Sequence, residues 1–259
     1  MGQARRVDLR HPASWEFSGF SQNGEDGILD VLRSQLRSGN RHFVEIGASD
    51  GVENNTAWLL VAEKYAGLMV EGDRWLSARA QRNIMSHSIG AECRQMFVTV
   101  ESLPVIRATV AHADPEVFSL DIDGNDLYIM RAALEAGFRP RIIVVEYNSV
   151  YGPDRSVTIE YQPAFTLGES HPSQLHYGVS VSGWRTMLEA RGYRFVTVDR
   201  NGVNAFFVDP VWFEQGFLNA IAGLRFAENL YQLRKFGMHS ERQFELIADQ
   251  PMVVVNDGL

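Results

Sequence analysis

The sequence predicts an α/β fold built on a mostly parallel seven-stranded sheet that ends in an antiparallel hairpin. Three observations lead there. Apolar runs such as Ile142-Ile143-Val144-Val145 alternate with helix-period segments, as strands covered on both faces require. Arg200-Asn201-Gly202 separates the last two strand segments, and Asn-Gly is a strong hairpin signal. In Phe43-Val44-Glu45-Ile46-Gly47-Ala48-Ser49-Asp50-Gly51 an apolar strand runs into an acidic residue and then a glycine turn.

The strands are expected at 42–47, 67–71, 95–100, 117–122, 141–147, 193–199 and 204–208. Residues 1–20 read as an irregular arm anchored by Trp15, Phe17 and Phe20. A helix opens with Ser21-Gln22-Asn23-Gly24-Glu25-Asp26-Gly27, carries Ile28, Leu29, Val31, Leu32 and Leu36 on its apolar side, and stops at Gly39-Asn40. Residues 149–178 are rich in Gly, Pro, Ser, Tyr and His. A loop this long at the carboxyl edge of the sheet is expected to be a substrate-facing lid. From 211 to 259 a helical extension is expected, with Phe217, Ile221, Leu224, Leu230, Leu233 and Phe236 packing on the body; a homodimer contact is the alternative. The whole, 1–259, reads as one domain with a catalytic core at 21–210.

Composition narrows the partners. Hydrophobic content of 45% and charged content of 22% are globular values, and 259 residues suffice for one full core. A net charge of -8 disfavours nucleic acid, and Arg5-Arg6 is too short for a basic patch. The single cysteine, Cys93, fits a reducing compartment and carries no catalytic signature. No apolar run reaches membrane-spanning length, so a soluble, cytoplasmic protein without membrane contact is expected.

Two constellations carry chemistry. In the first, Glu45-x-Gly47-x-x-x-Gly51 is followed by Glu71 at the end of the next strand, an order suited to a nucleoside cofactor. Glycines admit close backbone approach, and a carboxylate there accepts ribose hydroxyls. The second is Asp121-Ile122-Asp123-Gly124-Asn125-Asp126 with Glu146-Tyr147-Asn148, at strand ends that the fold sets side by side. Asp121 and Asp123 share a face, as do Glu146 and Asn148. Converging oxygen ligands suit Mg²⁺, which relieves their mutual repulsion. The plainer reading makes Asp126 and Asn148 caps of the segments that follow them.

Asp-x-Asp-Gly also resembles the first motif of haloacid-dehalogenase-like phosphatases. There it opens the fold and continues with Thr; here it follows three strands and continues with Asn125. Glycosyltransferases hold a metal and sugar diphosphate with Asp-x-Asp, but nothing around Glu45 asks for a diphosphate.

Together these residues resemble the FkbM-like branch of class I S-adenosylmethionine methyltransferases over residues 21–208. The resemblance rests on Ser21-Gln22…Glu25-Asp26-Gly27, Glu45-Ile46-Gly47…Gly51, Val70-Glu71-Gly72, Asp121-Ile122-Asp123-Gly124 and Glu146-Tyr147-Asn148. It implies a Rossmann-like class I methyltransferase fold, S-adenosylmethionine as methyl donor, and O-methylation of a sugar or secondary-metabolite hydroxyl. Related macrolide-sugar enzymes hold a metal with carboxylates of the fourth and fifth strands. The sequence departs from the commoner family form: Asp121 stands where a lysine is usual, Gly124-Asn125 follows, and the fifth strand ends Glu-Tyr-Asn.

The roles implied are cofactor binding by Gln22, Glu45, Gly47, Asp50, Gly51, Glu71 and Asp121. Asp123 and Glu146, with Asn148, would hold Mg²⁺ or orient the nucleophile. His171 and His176 in the lid are candidate bases. Tyr151 and Tyr161 are candidate substrate contacts, whereas Tyr147 should face away. Trp75 is read as either an adenine cover or a core anchor. The other histidines, His11, His42, His87, His112 and His239, show no ligand-like spacing. A cofactor-fold protein that binds without catalysis is the remaining alternative.

Overall fold

The computed structural model describes residues 6–87 and 90–256. Arg5, and so the Arg5-Arg6 pair, and the last three residues of the predicted extension lie outside the described residues.

The chain runs α1 (Glu25–Ser34), β1 (His42–Ile46), α2 (Ala57–Val61), β2 (Ala66–Glu71), α3 (Arg74–Met85), β3 (Ala91–Gln95), α4 (Leu103–Thr109) and β4 (Val117–Leu120). It continues with α5 (Asp126–Glu135), β5 (Ile142–Glu146), β6 (Val157–Thr158), α6 (Leu167–Ser170), α7 (Val181–Glu189), β7 (Arg194–Val198) and β8 (Asn204–Val208). Three short helices, α8 (Gln215–Ala220), α9 (Leu230–Phe236) and α10 (Ser240–Glu245), precede β9 (Val253–Val254).

The main sheet has the order β3-β2-β1-β4-β5-β8-β7. β1 to β5 are parallel, and β8 inserts antiparallel between β5 and β7. Alternation along each strand divides the core into two layers. Val44, Ile46, Leu120 and Val145 pack with α4, α5 and α7 on one face. Phe43, Met69, Val144 and Phe206 pack with α1, α2, α3 and α8 on the other. Glu45 lies on this second face, under α1.

Register sets the carboxyl edge. Ile46 pairs with Val70 and with Leu120, Leu120 with Val145, and Glu146 with Asn204. One residue further, Glu71, Gly47, Asp121, Glu146 and Asn204 form a single row across five strands. Gly47 is at φ +87°, and a Cβ there would collide with the carbonyl oxygen of Asp121, so only glycine lets β1 and β4 meet at this point.

Several expectations are corrected. The third strand is Ala91–Gln95, not 95–100: it is a half-exposed edge strand of polar residues, and the apolar Met96-Phe97-Val98 leaves the ladder. α1 begins at Glu25 and ends before Leu36, which instead bridges to Phe213. The region after 211 is not one helical stretch; between α8 and α9 it runs extended, and Leu224 bridges to Val198. Phe217 and Ile221 are buried in the core. In the 149–178 segment both ends pack inward, with Val150, Tyr151, Ile159, Leu175 and Tyr177 buried and β6 paired with β9, while most of 160–174 is exposed or half-buried. Trp15 is fully buried, with Nε1 donating to Asp8 O at 2.6 Å, and Phe17 and Phe20 pack on Trp58. No helix among the described residues is long and apolar enough to cross a membrane.

Candidate functional site

A cavity of about 500 Å³ opens over the carboxyl edge of the sheet on the α1 side. Its size is that of ordinary small-molecule sites. Glu71, Gly47, Asp121 and Asn204 of the row described above line it, with Glu146 behind them, and Ser21, Gln22 and Asn23 of the segment before α1 line it too. Among the described residues seven carboxylates line it, Glu25, Glu45, Glu53, Glu71, Asp73, Asp121 and Asp123, and no Lys, Arg or His does.

Glu45 is fully buried. It accepts from Asn55 N at 3.1 Å, from Thr56 N at 3.0 Å and from the Thr56 hydroxyl. These bonds draw the loop after β1 onto the sheet, and Asn55 Nδ2 continues to Ser119 Oγ at 3.1 Å. Burial pushes the Glu45 carboxyl up to about 7, against the opposing pull of those hydrogen bonds. Glu71 sits at the end of β2. One of its oxygens accepts from Ser49 N at 2.7 Å and the other from Asp73 N at 2.8 Å, which leaves lone pairs facing the cavity. Asp73 then caps α3 through Trp75 N and Leu76 N. Leu76 and Phe97 bring exposed apolar surface to the same end.

At the other end, one carboxylate oxygen each from Asp121, Asp123 and Glu146 lie within 4.8 Å of one another. Asp121 and Glu146 are hydrogen-bonded to each other. Burial, then the charges of their neighbours, holds both well above the ordinary carboxylate range; burial alone raises Asp123. No ion pair to any of the three is found among the described residues. Asp123 turns into the left-handed region at φ +62°, a conformation Asp tolerates and other side chains rarely adopt. Asp126 braces this turn: its oxygens accept from Ile122 N at 3.0 Å and Gly124 N at 2.8 Å. It therefore secures the loop before α5, where Asn125 holds the N-cap position. The Phe165 ring lies against Gly124 and occupies the space of a Cβ.

Of the predicted cofactor residues, Gln22, Glu45, Gly47, Glu71 and Asp121 line the cavity; Asp50 and Gly51 do not. Asp50 accepts from Val52 N and Glu53 N and pairs with Arg79 at 3.3 Å, so it shapes the loop from outside. Gly51, at φ +75°, passes close to Ala80 of α3. Asn148 is corrected as a metal ligand. Its Oδ1 accepts from Val150 N and its Nδ2 donates to Leu175 O and Tyr177 O, which caps the following turn and fixes the loop.

His171 bonds to Ser173, and His176, buried, meets Pro251 O at 3.0 Å; neither lines the cavity. Tyr151 donates to Tyr177 O, and Tyr161 packs edge-on against Tyr128, both away from it. Tyr147 faces away as expected, its hydroxyl donating to Ala227 O. Trp75 is 72% exposed and outside the cavity, neither adenine cover nor core anchor. Cys93 is half-buried beside Ser77, and burial pushes its thiol up.

The sequence reading missed Asn54, Asn55, Met96, Phe97, Phe165 and Asn204 as lining residues. Only Asn204 carried a usable signal, since a hairpin strand inserted beside the fifth brings its first residue opposite Glu146.

The sheet order and the antiparallel strand beside the fifth define a Rossmann-like class I methyltransferase fold. No family model matches the chain, and no curated protein does. Among solved structures it is similar to the METTL16 MTase domain, at 14% identity over 47% of this chain and 49% of that chain, with a TM-score of 0.37. It thus spans about half the length of that chain. It is also similar to an O-methyltransferase from Bacillus cereus in complex with SAH, at 16% identity over 71% and 78% of the two chains, TM-score 0.46. A third is the O-methyltransferase TomG from Streptomyces achromogenes, involved in tomaymycin synthesis and in complex with SAM, at 15% identity over 71% and 77%, TM-score 0.45.

Proposed function

We propose that the protein is an S-adenosylmethionine-dependent methyltransferase that transfers the methyl group to a hydroxyl of a small sugar-like or secondary-metabolite acceptor. The observation that carries this reading is the row Glu71–Gly47–Asp121–Glu146 beneath a cavity of about 500 Å³. A ribose-binding acid, a glycine closeness point and an acidic reaction centre follow one another along one edge.

When bound, the donor would supply an electrophilic sulfonium methyl, which passes to the acceptor oxygen as its bond to sulfur breaks and the neutral thioether leaves. Glu71 accepts the ribose hydroxyls, and Leu76 with Phe97 offers apolar surface to the base. The Gly47 turn lets the backbone approach the sulfonium end, and Gln22 closes it from above. Asp123, the most exposed member of its cluster, takes the acceptor proton at its carboxylate. A carboxylate raised toward neutrality by burial is a better base than a free one. Alignment within the cavity supplies much of the rate. The three converging carboxylates, without a cationic partner among the described residues, are a hard-oxygen donor set that fits Mg²⁺. Asp121, Asp123 and Glu146 would hold it, and it would acidify a bound hydroxyl.

The acid-lined cavity disfavours the phosphatase alternative, because among the described residues no basic side chain waits there for a phosphate. It also favours a small-molecule acceptor over nucleic acid. Cytoplasmic residence remains a proposal, resting on the lone Cys93.

Calorimetric titration with S-adenosylmethionine and S-adenosylhomocysteine, in magnesium and then in chelator, tests the reading. Micromolar binding of both is expected. Absence of binding in either condition removes it, and binding with no transfer to any hydroxylated acceptor points to the non-catalytic alternative.

A further inference from the structure

We infer that the cavity wall formed by Glu25, Asn23 and Asn204 receives a protonated amine of the acceptor, which is therefore an amino sugar or a comparable amine-bearing polyol. The word acceptor rests on the methyltransferase reading; the amine site itself does not.

Glu25 opens α1 and lies on the cavity wall with 1% of its surface exposed. Among the described residues its carboxylate accepts from neutral groups alone: Asn23 N at 2.6 Å, Asn23 Nδ2 at 2.9 Å and Asn204 Nδ2 at 2.8 Å. The nearest arginine in sequence on the facing hairpin, Arg200, is taken by Glu16. A buried carboxylate without a cation is costly, and a ligand cation relieves that cost.

Asn204 supplies the independent observation. It is 3% exposed and lines the same cavity. Its Nδ2 is spent on Glu25, and its Oδ1 is buried with no hydrogen-bond partner. An orphaned acceptor beside an unneutralised acid calls for a donor that is also positive. An ammonium brings three N–H donors and a charge; a hydroxyl brings one donor and none. A phosphate or carboxylate would be repelled by a lining with seven acids and no base.

Position assigns the amine to the acceptor and not to the cofactor's own amino group. Asn204 is four strands from Glu71 along the row, about 19 Å at ~4.8 Å per strand. From ribose hydroxyl to amino nitrogen the cofactor spans some eight bonds, about 10 Å when extended. Laid along the row from Glu71, that length extends about to Asp121, two strands short of Asn204. The wall is instead one strand from Glu146, ~4.8 Å away. An amine and a reacting hydroxyl a few carbon atoms apart on one ring fit that separation.

The test is ligand-observed NMR on the full chain, with and without saturating S-adenosylhomocysteine. The probes are glucosamine, glucose and glucose 6-phosphate, then 2-deoxystreptamine against inositol. The amine members are expected to bind at least about tenfold tighter than their hydroxyl counterparts, roughly one charge-assisted hydrogen bond, and the phosphate not at all. In Glu25→Gln, which keeps the side chain's shape, that preference should vanish; Asn204→Ala should weaken it. The wild-type series decides alone if either variant fails to fold. Equal or tighter binding of the hydroxyl members overturns the proposal. So does unchanged amine affinity in folded Glu25→Gln, absence of amine binding at millimolar concentration, or displacement of the amines by S-adenosylhomocysteine. Amine preference without cofactor binding would remove the methyltransferase reading and keep the amine site; cofactor binding without the preference would do the reverse.

Discussion

The carboxyl groups of Asp121 and Glu146 hydrogen-bond to each other between β4 and β5, a bond that forms only while one of them carries a proton. Burial and mutual repulsion keep that proton on the pair well above the usual carboxylate range. A divalent cation has to displace it. Magnesium binding is therefore expected to release protons and to strengthen as pH rises above the ordinary carboxylate range. Calorimetry in two buffers of different ionisation enthalpy reads this directly, and a pH-independent affinity would remove the pair as ligands.

Three further buried acids predict how stability depends on pH. Burial raises Glu45 from 4.5 to about 7, Asp126 from 3.8 to about 6 and Asp199 from 3.8 to about 8. A raised acid binds more protons folded than unfolded, so stability must fall as pH climbs from the unfolded value toward the folded one, then level off. In chelator the urea midpoint should decline between about pH 4.5 and 8, with Glu45 alone contributing about 3 kcal/mol. A midpoint that rises across this window would contradict the burial described for these groups.

Gly47→Ala should be among the most damaging small substitutions. It places a methyl against Asp121 O and forces a side chain into φ +87°. A loss of about 2–4 kcal/mol is expected from strain and from parting β1 and β4. Denaturation measures it, and a variant of near-normal stability would mean that the two strand ends are further apart than described.

Glu71→Ala should weaken binding of S-adenosylhomocysteine by about 1.5–3 kcal/mol, the worth of hydrogen bonds to a charged group. Because Ser49 N and Asp73 N also lose their acceptor, the melting temperature should be followed in the same samples. Unchanged affinity in a folded variant takes Glu71 out of the site.

The sheet was legible because buried parallel strands are long apolar runs, and Glu45, Gly47, Glu71, Asp121, Asp123 and Glu146 sit where those runs end. What escaped depends on contacts distant in sequence. β3 is an edge strand with no apolar run to announce it, and Met96-Phe97-Val98 drew the prediction past its end. Asn148 shares the strand-end pattern of Glu146, yet its amide is consumed by Val150, Leu175 and Tyr177, backbone groups that no local spacing reveals. His171 and His176 have the right chemistry, but the segment carrying them folds inward against β9 and the C-terminal helices. Asp50 reads as part of the glycine turn, and only the packing of α3 shows its carboxylate engaged by Arg79.

The absence of any basic side chain from the cavity lining among the described residues bears on how a turnover would end. In the proposed reaction the donor arrives as a sulfonium and departs as a neutral thioether. The wall that attracts the first has no corresponding hold on the second. Methyl transfer thus cancels part of the attraction that brought the donor in, and the spent molecule is the weaker competitor for the next cycle. Product release is favoured by the same charges that favour loading, with no moving part required.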